Sequence, residues 1–266
     1  MEHLKELENK SIYIIREAYA RFREIALLWS IGKDSTTLLW LTYKAFFGRI
    51  PFPVVHIDTG YKFPEIYEFR DKYRKEWDLD LIVARNETAI GQGMRPEKGK
   101  LECCNLLKTE ALKQHIAKRG FKALLLAIRR DEHGIRAKER YFSPRDKEFK
   151  WNYQDQAPEL WDIYKSEVTE EQHLRIHPML HWTEYDIWRY IQKENIPSVS
   201  LYFAKGGKRY RSIGCKCCCE PVNSNADSIK KIVRELETTK ISERSGRAQD
   251  KENAYTMQKL RSLGYM

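Results

Sequence analysis

The chain has 266 residues, 42% of them hydrophobic, and carries 48 lysines and arginines against 38 acidic residues, a net charge of +10. That is enough apolar material for one large α/β domain, so no disulfide framework is needed, and no apolar run is long enough to span a membrane. The charged start "MEHLKELENK" lacks the apolar stretch of a signal peptide, so the chain reads as cytosolic, with reduced thiols; its basic excess favours anionic partners such as nucleotides or nucleic acid.

Helical spacing of Leu4, Leu7, Ile12, Ile15 and Ala18 predicts an amphipathic helix over 4–24. "EIALLWS" reads as a buried strand, followed by the turn "SIGKDS" and the helix "TTLLWLTYKAFF". A second strand, "FPVVHIDTG", leads to the helix "KFPEIYEFRDKYRKEW", with Pro64 in its first turn. "LDLIVAR" is a third strand, and "LLKTEALKQHIAKRG" a helix closed by Gly120. "KALLLAIRR" is a fourth strand and "HLRIHPML" a short fifth one; Thr183 then caps a helix with the stripe Ile187, Tyr190 and Ile191. Alternating strands and helices predict an α/β fold, a mostly parallel sheet with helices on both faces, whose ligands sit beyond the carboxyl ends of the strands. The alternation stops near residue 203. The expected organisation is an α/β domain over 1–203 and, over 204–266, a flexible basic loop, a cysteine-rich stretch and a polar helical tail packed on it.

Three stretches carry chemistry. In "SIGKDS", Ser30, Ile31, Gly32, Lys33, Asp34 and Ser35 stand between a strand and a helix, where small residues and helix N–H groups suit a phosphate. The glycine spacing is not that of a Walker A loop. Asp58 ends the second strand and suits a metal-bound phosphate or a nucleotide hydroxyl. "IRRDEHGIRAKER" begins where the fourth strand leaves the sheet, and Arg129, Arg130, Arg136 and Arg140 can fork onto phosphate or sulfate.

The six cysteines occupy two stretches only: Cys103 and Cys104, ahead of a helix, and Cys215, Cys217, Cys218 and Cys219. An adjacent pair plus a remote C-x-x-C step offers four thiolates for one iron–sulfur cluster. Zinc on four thiolates and persulfide chemistry are the competing readings. Buried inert cysteines would scatter through the core instead of gathering beside Lys208, Arg211 and Lys216.

"SIGKDS" resembles the SGGKDS pyrophosphate loop of the ATP pyrophosphatases, whose fold is that of the adenine nucleotide α-hydrolases, with Ile31 in place of the first glycine. Further strings, "FPVVHIDTGYKFPEIYEFRD", "RRDEHGIRAKER", "WTEYDIWRYI" and "SERSGRAQD", resemble the small subunit of bacterial sulfate adenylyltransferase over nearly the whole chain. The resemblance implies ATP binding, attack at the α-phosphate and release of pyrophosphate. It implies ATP on 30–35 with Asp58, Arg136 and Arg140, and Mg²⁺ held by Asp34 and Asp131. Lys33, Ser35, Arg129 and Arg130 would then serve the transfer. The cysteines resemble those of adenylylsulfate reductases, which implies Cys103, Cys104, Cys215 and Cys218 as ligands of a 4Fe-4S cluster. No cysteine follows Cys219, however, so the reductase's C-terminal nucleophile is absent. Taken together, the body, the cluster and the missing tail resemble the DNA phosphorothioation proteins of the SspD or DndC kind. That implies sulfur transfer with a cysteine desulfurase, acting on DNA directly or through a partner, with Cys217 and Cys219 as spare sulfur carriers. The alternative is the sulfate adenylyltransferase small subunit itself, paired with a GTPase subunit. A third reading is a non-catalytic scaffold.

Overall fold

The computed structural model describes residues 2–134, 136–165 and 173–247. Its centre is a six-stranded sheet in the order β3-β2-β1-β4-β6-β5. The strands are β1 (Ile25–Leu28), β2 (Val54–Ile57), β3 (Leu81–Ala84), β4 (Ala123–Leu125), β5 (Phe142–Arg145) and β6 (His173–Ile176). All neighbours are parallel except β5, which runs antiparallel to β6 on the edge. β1, β2, β4 and β6 are buried along their whole length; β1 and β4 read as continuous apolar runs, whereas β2 and β6 also bury His56, His173 and Arg175. The alternation therefore located five of the six strands. β5 escaped because its sequence is "FSPR": Pro144 cannot donate to a ladder and is tolerated only at a sheet edge, where it sits here.

Helices α1 (Glu2–Arg21), α2 (Lys33–Ala45) and α3 (Pro64–Glu76) follow the predicted pattern. α4 (Glu87–Gly91) is a short addition, capped by the Asn86 side chain. The next predicted helix starts earlier than expected. α5 (Lys100–Cys104) runs through a π-helical turn at Asn105–Glu110 into α6 (Ala111–Arg119), which ends on Gly120 at φ 69. Cys103 and Cys104 thus lie inside a helical run and not ahead of it. α7 (Glu184–Glu194) carries the expected cap: Thr183 accepts from the Asp186 N–H while the Asp186 carboxylate accepts from Thr183. α1 packs on α2, α2 on α7, and α6 against β3.

The stretch 204–214 is not the free basic loop that its composition suggests. β7 (Lys208–Arg209) pairs with β8 (Val222–Asn223), and α8 (Ile229–Thr238) packs on α7. Arg209 is buried on Glu235, at 2.6 Å, and Arg211 is buried on Glu184. Buried charges persist because each finds a partner. Ala226 and Ile232 join the same continuous core as the sheet. α8 falls within the polar helical tail expected from residue 226; the part of that tail from 248 onward lies outside the described residues. Among the described residues no helix is long and apolar enough to cross a membrane.

Candidate functional site

β1 ends at Leu28, and the chain turns through Trp29–Gly32 into α2. Trp29 is buried and pins the turn by donating its indole N–H to Thr36 Oγ1 at 3.1 Å. Ile31 takes φ 66, the left-handed region where the resembling families place glycine. A β-branched residue there is strained by about 1–2 kcal/mol, held in this case by complete burial of its side chain. Gly32 is the N-cap and supplies no side-chain cap to the first turn of α2. The Lys33 N–H donates to the Tyr202 hydroxyl at 2.9 Å, and the Ser30 and Ser35 hydroxyls meet at 3.0 Å. The turn therefore stands at the N-terminus of α2, a setting that suits an anion.

A cavity opens at this loop, at the carboxyl ends of β1, β2 and β4. Leu28, Val55, Ile57, Leu126 and Ile128 give it an apolar floor. Lys33, Lys62, Lys108, Arg136, Arg244 and Arg247 line the rest, with Asp34 and Glu132 as the acidic members. The cavity thus joins an apolar floor to a cluster of cations.

Arg129 lies behind the wall. It is fully buried and donates to three carboxylates: Asp34 at 2.8 Å, Asp131 and Glu243. Lys33 donates to Asp34 at 2.9 Å and to Glu243. Burial pulls the Lys33 ammonium down, but Asp34 and Glu243 outweigh it and hold the proton affinity well above the usual range. Asp34, Glu132 and Glu243 bring oxygens within 4.8 Å of one another. Asp131, expected beside Asp34 at a metal, instead accepts from Arg129 and from the Glu184 N–H at 2.8 Å. Arg130 reaches His181 and the Glu139 carbonyl, and Arg140 the Ala157 carbonyl at 3.4 Å; neither lines the cavity. Asp58 accepts from the Gly60 N–H and the Tyr67 hydroxyl, each at 2.9 Å, beside the cavity. Burial would raise its pKa, but those two donors hold it below the usual carboxylate range.

Both cysteine stretches meet at the cationic end. The turn after β2 docks the second one: Lys62 bridges to Cys215, and Lys216 N–H donates to the Tyr61 carbonyl at 2.8 Å. Cys103, Cys104, Cys215 and Cys218 are all buried thiols outside any disulfide. Burial pushes Cys103 up to about 12, and its neighbours Cys104, Cys215 and Cys218 add to that. Cys218 is likewise pushed up to about 12, by burial and then by Cys217. Cys215 goes the other way: burial opposes ionisation, but Lys108, Lys62, the Thr59 hydroxyl at 3.2 Å and Arg247 bring it to about 7. The Lys108 ammonium stands 3.7 Å from Cys104 Sγ, across the π-turn. The two remaining cysteines differ. Cys217 is exposed, whereas Cys219 is buried and accepts from Arg247 at 3.0 Å.

Glu243, Arg244 and Arg247 were not among the expected site residues, although the string "SERSGRAQD" had pointed to their segment. Lys62 and Glu132 lie within "FPVVHIDTGYKFPEIYEFRD" and "RRDEHGIRAKER" but were not among the expected site residues, whereas Tyr202 carries no local signal.

The family profile of the phosphoadenosine phosphosulfate reductase domain matches residues 24–221. The chain is 42% identical over 296 aligned residues to sulfate adenylyltransferase subunit 2 of Saccharophagus degradans, covering 100% of this chain and 98% of the relative. Two solved structures share the fold at low identity. One is the phosphoadenylyl-sulfate reductase of Candida auris in its phosphate complex, with TM-score 0.55 and 17% identity over 84% of this chain and 97% of that one. The other is the FMN adenylyltransferase of Candida glabrata, with TM-score 0.58 and 19% identity over 83% of this chain and 64% of that one. The chain belongs to the phosphoadenosine phosphosulfate reductase domain family, and within it is a full-length homologue of sulfate adenylyltransferase subunit 2.

Proposed function

We propose that the chain is the ATP-using subunit of a sulfate-activating enzyme, transferring AMP from ATP to sulfate and releasing pyrophosphate. The carrying observation is the single cavity in which an apolar floor meets six cationic side chains at a helix N-terminal loop. Adenine suits the floor, and the phosphates suit the 30–35 loop with Lys33 and Arg136. A tetrahedral dianion fits beside Lys62, Lys108 and Arg247. An acceptor oxygen attacks the α-phosphorus, the bond to the bridging oxygen breaks, and pyrophosphate leaves with the electron pair. Lys33 offsets the charge that grows on the leaving group. Asp34 and Glu132, hard oxygen donors on the cavity wall, suit Mg²⁺ arriving with the nucleotide, and that ion would neutralise phosphate charge. On the resemblance, a GTPase subunit is the partner.

A second reading is favoured by the meeting of the two cysteine stretches. Four soft thiol donors from two segments suit a 4Fe-4S cluster held by Cys103, Cys104, Cys215 and Cys218, which would supply electron or sulfur handling beside the acceptor. The same adenylyl transfer would then activate a phosphate for sulfur, as in DNA phosphorothioation with a cysteine desulfurase. One preparation separates the readings. Protein purified without oxygen is assayed for pyrophosphate release from ATP with and without sulfate and its partner subunit, and its iron and acid-labile sulfide are counted. Sulfate-dependent release supports the first reading. Release that ignores sulfate, from a protein holding about four irons, replaces it with the second.

A further inference from the structure

The segment 242–247 is a strap that reaches the ATP loop from the far end of the chain. The Glu220 N–H donates to the Gly246 carbonyl at 2.9 Å, and Arg211 donates to the Ile241 carbonyl at 2.6 Å. Cys219 bridges to Arg247, whose guanidinium donates to Cys219 Sγ at 3.0 Å. So anchored, the strap places Glu243 between Lys33 and Arg129, and its carboxylate accepts from both. Lys33 and Arg129 carry two positive charges, Asp34 and Glu243 two negative ones, and the Lys33 and Arg129 side chains are 1% and 0% exposed. Without Glu243, Lys33 would be drawn to Asp34 alone.

We propose that Glu243 is a positioning residue of the ATP site, its carboxylate fixing the Lys33 ammonium at the cavity wall and tying it to Arg129. The inference rests on the reading of the cavity as an ATP site but not on sulfate as the acceptor. Lys33 is faced by Asp34 from its own helix, Glu243 from the strap, Arg129 from the segment after β4, Tyr202 from the turn before β7, and Glu184 from α7. Asp34 and Glu243 each accept from both Lys33 and Arg129, so the ammonium is held from two sides. Glu243→Gln keeps the shape and removes one of the two carboxylates.

The test is calorimetric titration of the full chain with a non-hydrolysable ATP analogue and Mg²⁺ at a single neutral pH, with melting temperature read in parallel. Glu243→Gln binds the analogue on the order of tenfold more weakly than wild type, because the Lys33 ammonium is no longer held from both sides. Glu243→Asp, which keeps the charge and shortens the reach, recovers most of that loss and binds only a few-fold more weakly than wild type. It also carries the test where the glutamine variant fails to fold. Equal affinity of Glu243→Gln and wild type overturns the proposal. So does tighter binding by the glutamine variant, which would make Glu243 a competitor of the phosphates, or a Glu243→Asp protein that binds no better than Glu243→Gln. A wild-type protein that binds no analogue removes the ATP-site reading, and this inference with it.

Discussion

Gly246 tests whether the strap is seated as described. A methyl group added there would stand well inside contact distance of the Glu220 carbonyl oxygen, with the Glu220 carbonyl carbon at 3.4 Å. A carbon normally keeps about 3.3 Å from such an oxygen, so backbone must move. Overpacking of this kind costs about 1–3 kcal/mol, and lifting the strap forfeits the Glu220 to Gly246 hydrogen bond, about 1 kcal/mol more. Gly246→Ala should therefore lose roughly 2–4 kcal/mol and melt about 5–12 °C lower. Because the strap carries Arg244 and Arg247 into the cavity, ATP-analogue affinity should drop on the order of 100-fold. Gly214→Ala is the control. The three atoms nearest its methyl all belong to the Arg247 guanidinium, the far end of a flexible side chain that can shift at the cost of its contact with Cys219, so its melting shift should be less than half as large. Differential scanning calorimetry and analogue titration read both quantities. A Gly246→Ala protein that melts and binds like wild type would refute the seating of the strap.

Arg129→Met leaves Asp34, Asp131 and Glu243 without their shared cation and should cost about 3–5 kcal/mol in denaturant unfolding; an unchanged midpoint would contradict the buried hub. Tyr202→Phe removes the acceptor of the Lys33 N–H and should cost about 1–2 kcal/mol, with analogue affinity down several-fold; equal affinity would show that the loop does not depend on it. Burial opposes ionisation of Glu243, but Arg129 and Lys33 hold its pKa well below the usual range, so its contribution to stability is present above about pH 4.5 and lost as pH falls below that. Melting temperature should drop steeply on that acid side, and less steeply in Glu243→Gln. Cys217 is exposed, with a pKa raised by partial desolvation, so iodoacetamide should modify it first and about tenfold faster per pH unit until its pKa is passed; peptide mapping that finds Cys103 modified first would contradict the burial of Cys103.

Local pattern was enough to place β1, β2, β3, β4 and β6, because each is a short, mostly apolar run between polar turns, even where β2 and β6 bury a histidine or an arginine and β3 is only partly buried. It also marked residues 30–35 as an anion loop and the six cysteines as two halves of something. Pro144 hid β5, since a residue that breaks central strands is harmless on an edge. The arginines after β4 looked alike in sequence, yet Arg136 lines the cavity, Arg129 is buried behind it and Arg140 reaches away. A charge run does not say which of its members find carboxylates, because those partners come from other segments. Asp34 and Glu243 show this most plainly: one adjoins Lys33 in sequence, the other stands 210 residues away, and both bind the same ammonium. What the amino-acid order determined by itself was five of the six sheet strands, the longer helices between them and the turn at 30–35, which depend on neighbours within a few residues. Only the tertiary structure decided which charges are neutralised, which thiols meet and which cations face the cavity, because burial and Coulomb attraction act through space and take no account of separation along the chain.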